Sequence, residues 1–408
     1  MQLYEYQKQV LEEIKGKKRV LLALSMGLGK TLCASEHLKT LDYEICLIVC
    51  PKSLIGMWQE HFKKFYNQEI NDFTKTKKIV KGINIVNYDL IFRRKELLEI
   101  PNVTLILDEC VAISNDKAKR TKAIMRMNID NLIMLSGSIS KGKYENLFTL
   151  AKLLGALCTK KQFYERYIIE KEFKKEGLPF PLKLIVGYKN CEELRENMIK
   201  RGTVFMKTED VINLPMQNFI DIEVDDSKEY RKFKKDFIVT VDNKELVGDC
   251  TLTKMLYERQ LCSCYSKAKL DTLKDLINST DDRLVIFYNF WEEYHKIREI
   301  IGDRAISVVN GKERDLSNYD NISNSITLIN YSAGSSGLNL QKANKIIYFS
   351  LPLSCEFWMQ SAKRIHRINQ DRPCFYYILK VKNSIEDKIH KALLKGQDYV
   401  NFLYESGE

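Results

Sequence analysis

No apolar run in this chain of 408 residues approaches the ~20 residues that a membrane-spanning helix needs. The first ten residues, MQLYEYQKQV, lack the basic and apolar regions of a secretory signal. A membrane is therefore not an expected partner, and the expected location is cytoplasmic or nucleoid-associated. Zinc-site spacing is missing too. Eleven cysteines are present, but the nearest thing to a cluster is Cys262 and Cys264 with Cys250 upstream and no histidine nearby. Free thiols packed in a reducing compartment are expected rather than a metal centre. No repeat or low-complexity tract is evident, which excludes solenoids and disordered arrays.

What remains is an ordinary globular composition, 45% hydrophobic and 29% charged. The length suggests about two or three domains with a sizeable core. The net charge is +11, with local concentrations at residues 15–19, 75–81, 93–95 and 117–126. Each neutralised phosphate releases counterions, so this balance favours a polyanionic partner. Lysine-rich helices also serve as plain solvated faces, so charge alone does not decide the matter.

The organising stretch is LALSMGLGKT, ending at Thr31. An apolar run at 20–24 predicts a buried strand, and helical spacing resumes up to residue 38. Between them lies a turn that fits a phosphate-binding loop. Gly27 and Gly29 let the backbone of Met26, Gly27, Leu28 and Gly29 approach a ligand; Lys30 adds a point charge; the Thr31 hydroxyl can ligate Mg²⁺. The strict pattern has a glycine where Leu24 stands. Upstream, residues 3–14 have helical spacing, and the amide of Gln7 suits the edge of an adenine.

Further apolar runs at 45–50, 83–86, 103–107 and 132–135 predict strands alternating with helices, hence a parallel sheet with functional loops at the strand C-termini. Lys52, Ser53 and Asn87 follow two of these strands. Asp108 and Glu109 end the third. Two carboxylates there, downstream of a phosphate loop, fit an ATPase: Asp108 holds Mg²⁺, and Glu109 orients and deprotonates the attacking water. Ser136-Gly137-Ser138 follow the fourth.

Together these segments resemble the helicase superfamily 2 core and, within it, the Swi/Snf-type ATPases. Those proteins show L-x-x-Y-Q, M-G-L-G-K-T, D-E-x-H and T-G-T. Here the matching residues are Leu3 with Tyr6-Gln7, Met26 to Thr31, Asp108-Glu109-Cys110-Val111, and Ser136-Gly137-Ser138. Val111 replaces the family's histidine, which is thought to couple hydrolysis to the rest of the core; two serines replace the threonines. The segment Phe163-Tyr164-Glu165-Arg166-Tyr167 is similar to the family's F-x-x-R-Y, and residues 203–215 resemble its junction between lobes without the usual paired arginines. Residues 256–262 and 266–273 are also family-like, which makes Cys262 a packing residue.

In the second half, 219–224 reads as extended, and strands are expected at 284–288, 326–329 and 345–349, with helical segments at 297–301 and 385–394. The turn after the second of these strands, with Ser332, Gly334 and Gly337, can offer N–H groups to phosphate. Residues 360–370 match the family's Q-x-x-x-R-x-x-R; on one helix, Gln360, Arg364 and Arg367 would share a face.

The resemblance implies an α/β fold of two RecA-like lobes, each a mostly parallel sheet with helices on both faces. Residues 1–214 would form the ATP-binding lobe, with a helical protrusion at 150–205, and 215–408 the C-terminal lobe. It spans residues 3–394 and leaves little room for accessory domains, as in free-standing motors of phages and prokaryotes. It further implies Arg364 and Arg367 as arginine fingers, ATP and Mg²⁺ as cofactors, a monomer, and duplex or branched DNA held without regard to sequence by Lys52, Ser53, Asn87, Ser332 and Gly334. Three functions stay open: a DNA-stimulated ATPase that translocates on duplex, a helicase that unwinds or branch-migrates forked DNA, and a non-catalytic binder. Val111 alone supports the third.

Overall fold

The apolar runs form parallel strands, and the residues at their C-terminal tips come to one edge of each sheet. The computed structural model describes residues 2–137, 143–155, 159–173, 182–211, 213–334 and 338–396. The chain divides into two compact units, Met1–Ile212 and Asn213–Glu408.

In the first unit the strands are β1 (Arg19–Leu24), β2 (Ile45–Cys50), β3 (Asn71–Asp72), β4 (Gly82–Asn87), β5 (Val103–Asp108) and β6 (Ile129–Leu135). An outlying pair follows, β7 (Ile168–Phe173) and β8 (Leu182–Tyr188), and then β9 (Thr203–Met206). The main sheet runs β3-β4-β2-β5-β6-β1-β9, and every pairing in it is parallel. β1, β2 and β5 are buried almost throughout, because helices cover both faces of a parallel sheet. Three helices frame the site: α1 (Glu5–Ile14), α2 (Lys30–Leu38) and α3 (Ile55–Tyr66). α3 buries Ile55, Trp58 and Phe62, one helical face.

The described residues of 150–205 are only partly helical, which corrects the expected helical protrusion. Helices Lys160–Tyr167 and Cys191–Lys200 flank the antiparallel β7–β8 ribbon, and the segment ends in β9, which joins the main sheet beside β1.

The second unit contains β10 (Gln217–Val224), β11 (Ile238–Val241), β12 (Lys244–Val247), β13 (Leu284–Tyr288), β14 (Ile306–Val309), β15 (Arg314–Asp315), β16 (Ile326–Asn330), β17 (Lys345–Tyr348) and β18 (Cys374–Val381). Its sheet runs β10-β18-β17-β13-β16-β14-β15 and is parallel except for β14–β15; β11 and β12 form a separate hairpin. Side chains alternate between two cores. Phe287, Tyr348 and Tyr376 enter one, while Ile286, Ile347 and Leu379 enter the other. Cys262 is buried in the first of these cores, as a packing residue would be.

Candidate functional site

Two glycines shape the loop after β1. Gly27 (φ 91°) and Gly29 (φ 77°) are left-handed, a conformation that costs glycine little. A Cβ on Gly29 would also collide with the side-chain amide of Gln7. That amide is buried in α1. It accepts from the Tyr4 N–H at 3.1 Å and donates to the Leu28 carbonyl at 3.2 Å. Gln7, proposed from the sequence for adenine, thus braces the loop through its own backbone contacts. α2 starts at Lys30, so Thr31 lies in its first turn, where N–H groups have no intrahelical acceptor. Lys30 Nζ folds back to the carbonyls of Leu24 (3.1 Å) and Ser25 (3.5 Å).

Asp108 ends β5 and is 4% exposed. Its Oδ2 accepts from Trp58 Nε1 and its Oδ1 from the Glu109 N–H, both at 2.9 Å. Burial pushes the Asp108 carboxyl above its ordinary pKa, against the pull of Trp58, the Lys30 charge and the Glu109 N–H. Glu109 stands at φ 50°, a left-handed conformation that a non-glycine residue rarely adopts. Val111, in the short turn Cys110–Ile113, is buried.

The loop after β6 closes on the same place. A Cβ at Gly137 would stand 3.5 Å from Lys30 Nζ and 3.2 Å from Met26 Cγ, so the bare glycine lets this loop lie against the first. Ser136 is buried beside it. Ser138 lies outside the described residues. The Thr31 hydroxyl and the Asp108 carboxylate are oxygen donors, and each Asp108 oxygen accepts one protein hydrogen bond with a lone pair left over. That donor chemistry fits a hard cation such as Mg²⁺.

Lys52 and Ser53 are exposed in the single turn Lys52–Leu54 between β2 and α3. Asn87 ends β4, and its Oδ1 is buried with no hydrogen-bond partner in the described structure. Sequence reasoning missed two aromatic residues. Trp58 reaches Asp108 from α3, and Tyr88 donates its hydroxyl to the Asp108 carbonyl at 2.9 Å. The readable signal was the apolar i, i+3, i+7 set Ile55, Trp58 and Phe62, which points Trp58 inward.

In the second unit Ser332 is exposed at the tip of β16, where its N–H and hydroxyl both donate to Asn330 Oδ1 (3.1 and 2.6 Å). Gly334 closes the turn Tyr331–Gly334; Gly337 lies outside the described residues. The arginine segment departs from the expected helix. The helix Cys355–Ala362 stops before Arg364. The Arg364 carbonyl accepts from the distant Leu340 N–H, and the nearby Gln370 side chain donates to the Ile365 carbonyl, so donors outside a helical ladder take the carbonyls a helix would use. The two arginines still converge. Arg364 and Arg367 both donate to the Leu338 carbonyl, at 3.5 and 3.1 Å. Arg364 is buried, and burial lowers the pKa of Arg367.

Residues 6–270 match the SNF2-related domain and residues 268–369 match the helicase conserved C-terminal domain. An uncharacterized ATP-dependent helicase, YqhH, of Bacillus subtilis (strain 168) is 26% identical over 95% of this chain and 76% of its own length. A second such helicase, from Mycoplasma pneumoniae, is 23% identical over 98% of this chain and 42% of its own. The DNA repair and recombination protein RDH54 of Saccharomyces cerevisiae (strain JAY291) is 24% identical over 97% and 52%. The chain thus spans about half or less of these last two relatives. The solved Sulfolobus solfataricus SWI2/SNF2 ATPase core in complex with dsDNA aligns with a TM-score of 0.48 and 21% identity, over 97% of this chain and 91% of that one.

Proposed function

Because this chain belongs to the SNF2-related domain family, we propose that it is an ATP-driven DNA motor. It hydrolyses ATP to ADP and phosphate, and bound duplex DNA stimulates the turnover. The observation that carries this reading is the convergence on Lys30: the glycine loop carries it, Gly137 lies against it, and its charge acts on Asp108 at the neighbouring strand tip.

In this reading the loop N–H groups and Lys30 grip the phosphates, and Gln7, Met26, Gly27, Leu28 and Gly29 form the nucleotide's seat. Thr31 and Asp108 hold Mg²⁺, which when bound neutralises phosphate charge. Glu109 orients a water and takes its proton. Arg364 and Arg367 are brought from the second unit to the charge that develops on the transferred phosphoryl group. Gly337, next to Leu338 in sequence, is assigned to the nucleotide as well. Lys52, Ser53, Asn87, Ser332 and Gly334 contact the DNA backbone, so binding is sequence-independent and weakens with salt.

The test is ATP turnover measured with single-stranded, duplex, forked and four-way DNA and with RNA. Duplex is expected to stimulate most. Strongest stimulation by forks would favour an unwinding enzyme, and no turnover with any of them would leave only a binder. Lys30→Ala and Glu109→Gln are each expected to abolish turnover, with ATP binding kept in Glu109→Gln. Wild-type turnover in either variant would refute the site.

A further inference from the structure

The two loops assigned to DNA in the first unit are wired to one residue. Trp58 lies one turn into α3, the helix that begins immediately after the Lys52–Leu54 turn. Its ring is fully buried and stacks on Phe62 (centroids 6.0 Å apart, planes at 22°), so it moves with the helix rather than within it. Its Nε1 holds Asp108 Oδ2. Tyr88 follows Asn87 directly, is buried, and holds the Asp108 carbonyl.

These contacts meet in one peptide unit. The Asp108 carbonyl and the Glu109 N–H belong to the same planar group. Tyr88 binds its oxygen end. The Asp108 carboxylate, itself fixed by Trp58, binds its N–H end at 2.9 Å. The orientation of that plane sets the left-handed backbone of Glu109 and hence the direction of its side chain. A strand pressing on either loop therefore has a short, buried path to the water-activating carboxylate.

We propose that Trp58 and Tyr88 are positioning residues that carry a DNA strand's occupancy of the Lys52–Leu54 turn and Asn87 to the Asp108–Glu109 peptide, and so to the rate of hydrolysis; this rests on the ATP and DNA roles proposed above. Neither residue touches nucleotide or DNA.

Trp58→Phe keeps a buried ring and removes the donor; Tyr88→Phe removes one oxygen. Three quantities are measured in each intact variant: the ratio of turnover with and without duplex DNA, the Kd for that duplex, and hydrogen exchange across residues 103–113 on adding duplex without nucleotide. Trp58→Phe is expected to lower the stimulation ratio about tenfold or more, as for loss of a hydrogen bond to a charged group, and Tyr88→Phe about threefold. The duplex Kd should stay within about twofold. Duplex should slow exchange at 103–113 in the wild type and not in the variants. A wild-type ratio and exchange response in variants that bind duplex would overturn the proposal. If Trp58→Phe does not fold, Tyr88→Phe decides by the same criteria. A wild type that neither binds duplex nor responds to it would sink the proposed function as well, which separates the two failures.

Discussion

In the first unit the buried carboxylate of Asp108 is met by neutral donors, Trp58 Nε1 and a backbone N–H. In the second unit the equally buried Glu386 is met by a full cation, Lys269, with the Val381 N–H on its other oxygen. Lys380 likewise gathers Asp221, Glu223 and Asp387. The contrast separates a carboxylate whose charge is closed by a cation from one whose charge is left for something else. A carboxylate held by dipoles keeps its negative charge available to a cation; an ion pair does not. The second unit has exceptions of its own. Arg364 and Arg367 point at a neutral carbonyl, that of Leu338. Glu293, also buried in the second unit, is met by the Asn289 and Phe290 N–H groups and the Ser350 hydroxyl, so the contrast is between the Asp108 and Glu386 sites and not a rule for every buried charge.

That contrast can be broken by mutation, and the largest effect is expected at the closed pair. Lys269→Met leaves Glu386 buried without its cation and should destabilise the second unit by about 3–5 kcal/mol. Hydrogen exchange should report lost protection in β17 and β18 with the first unit unchanged. Adding Glu386→Gln should recover part of the loss, because no lone charge is then buried. No loss in the single variant would remove the distinction between the units.

A smaller effect sharpens the first unit. Ser35 on α2 bonds His61 on α3 at 3.0 Å, and burial depresses the His61 pKa to about 4, against the pull of Glu36. The folded state therefore keeps His61 neutral where the unfolded chain, with an ordinary pKa near 6.5, already binds a proton. Stability from this residue is present above pH ~6.5 and is lost as the pH falls toward about 4. His61→Gln should flatten this loss, read as denaturant midpoints between pH 4 and 7. An unchanged slope would show that His61 is not what makes α2 and α3 acid-sensitive.

The central strands were legible almost to the residue. β2 and β13 coincide with the apolar runs at 45–50 and 284–288, since a strand covered on both faces needs no polar alternation. β18, CFYYILKV, escaped notice because tyrosines and a lysine interrupt its run; Lys380 is tolerated there only by its three acidic partners. The ribbon β7–β8 escaped for the opposite reason: exposed Glu and Lys dominate one strand, so no buried pattern exists to be read. At the site, motif spacing singled out Lys30, Asp108 and Glu109, and the structure brings the Lys30 charge to bear on Asp108. It could not show Trp58 or Tyr88, whose contacts join residues 50 and 20 positions apart. It misjudged the Arg364–Arg367 geometry, because the Leu340 N–H, from far upstream in the chain, takes the Arg364 carbonyl that a helix would use. A local repeat carries no record of such partners.

In the proposed mechanism, phosphate gripped by the first unit is attacked only when guanidinium from the second reaches it. Arg367→Ala, assayed for ATP binding and for turnover with saturating duplex, tests it most directly. Binding should hold within a few-fold while turnover falls by about 10³ to 10⁵. Wild-type turnover in that variant would mean that the first unit works alone.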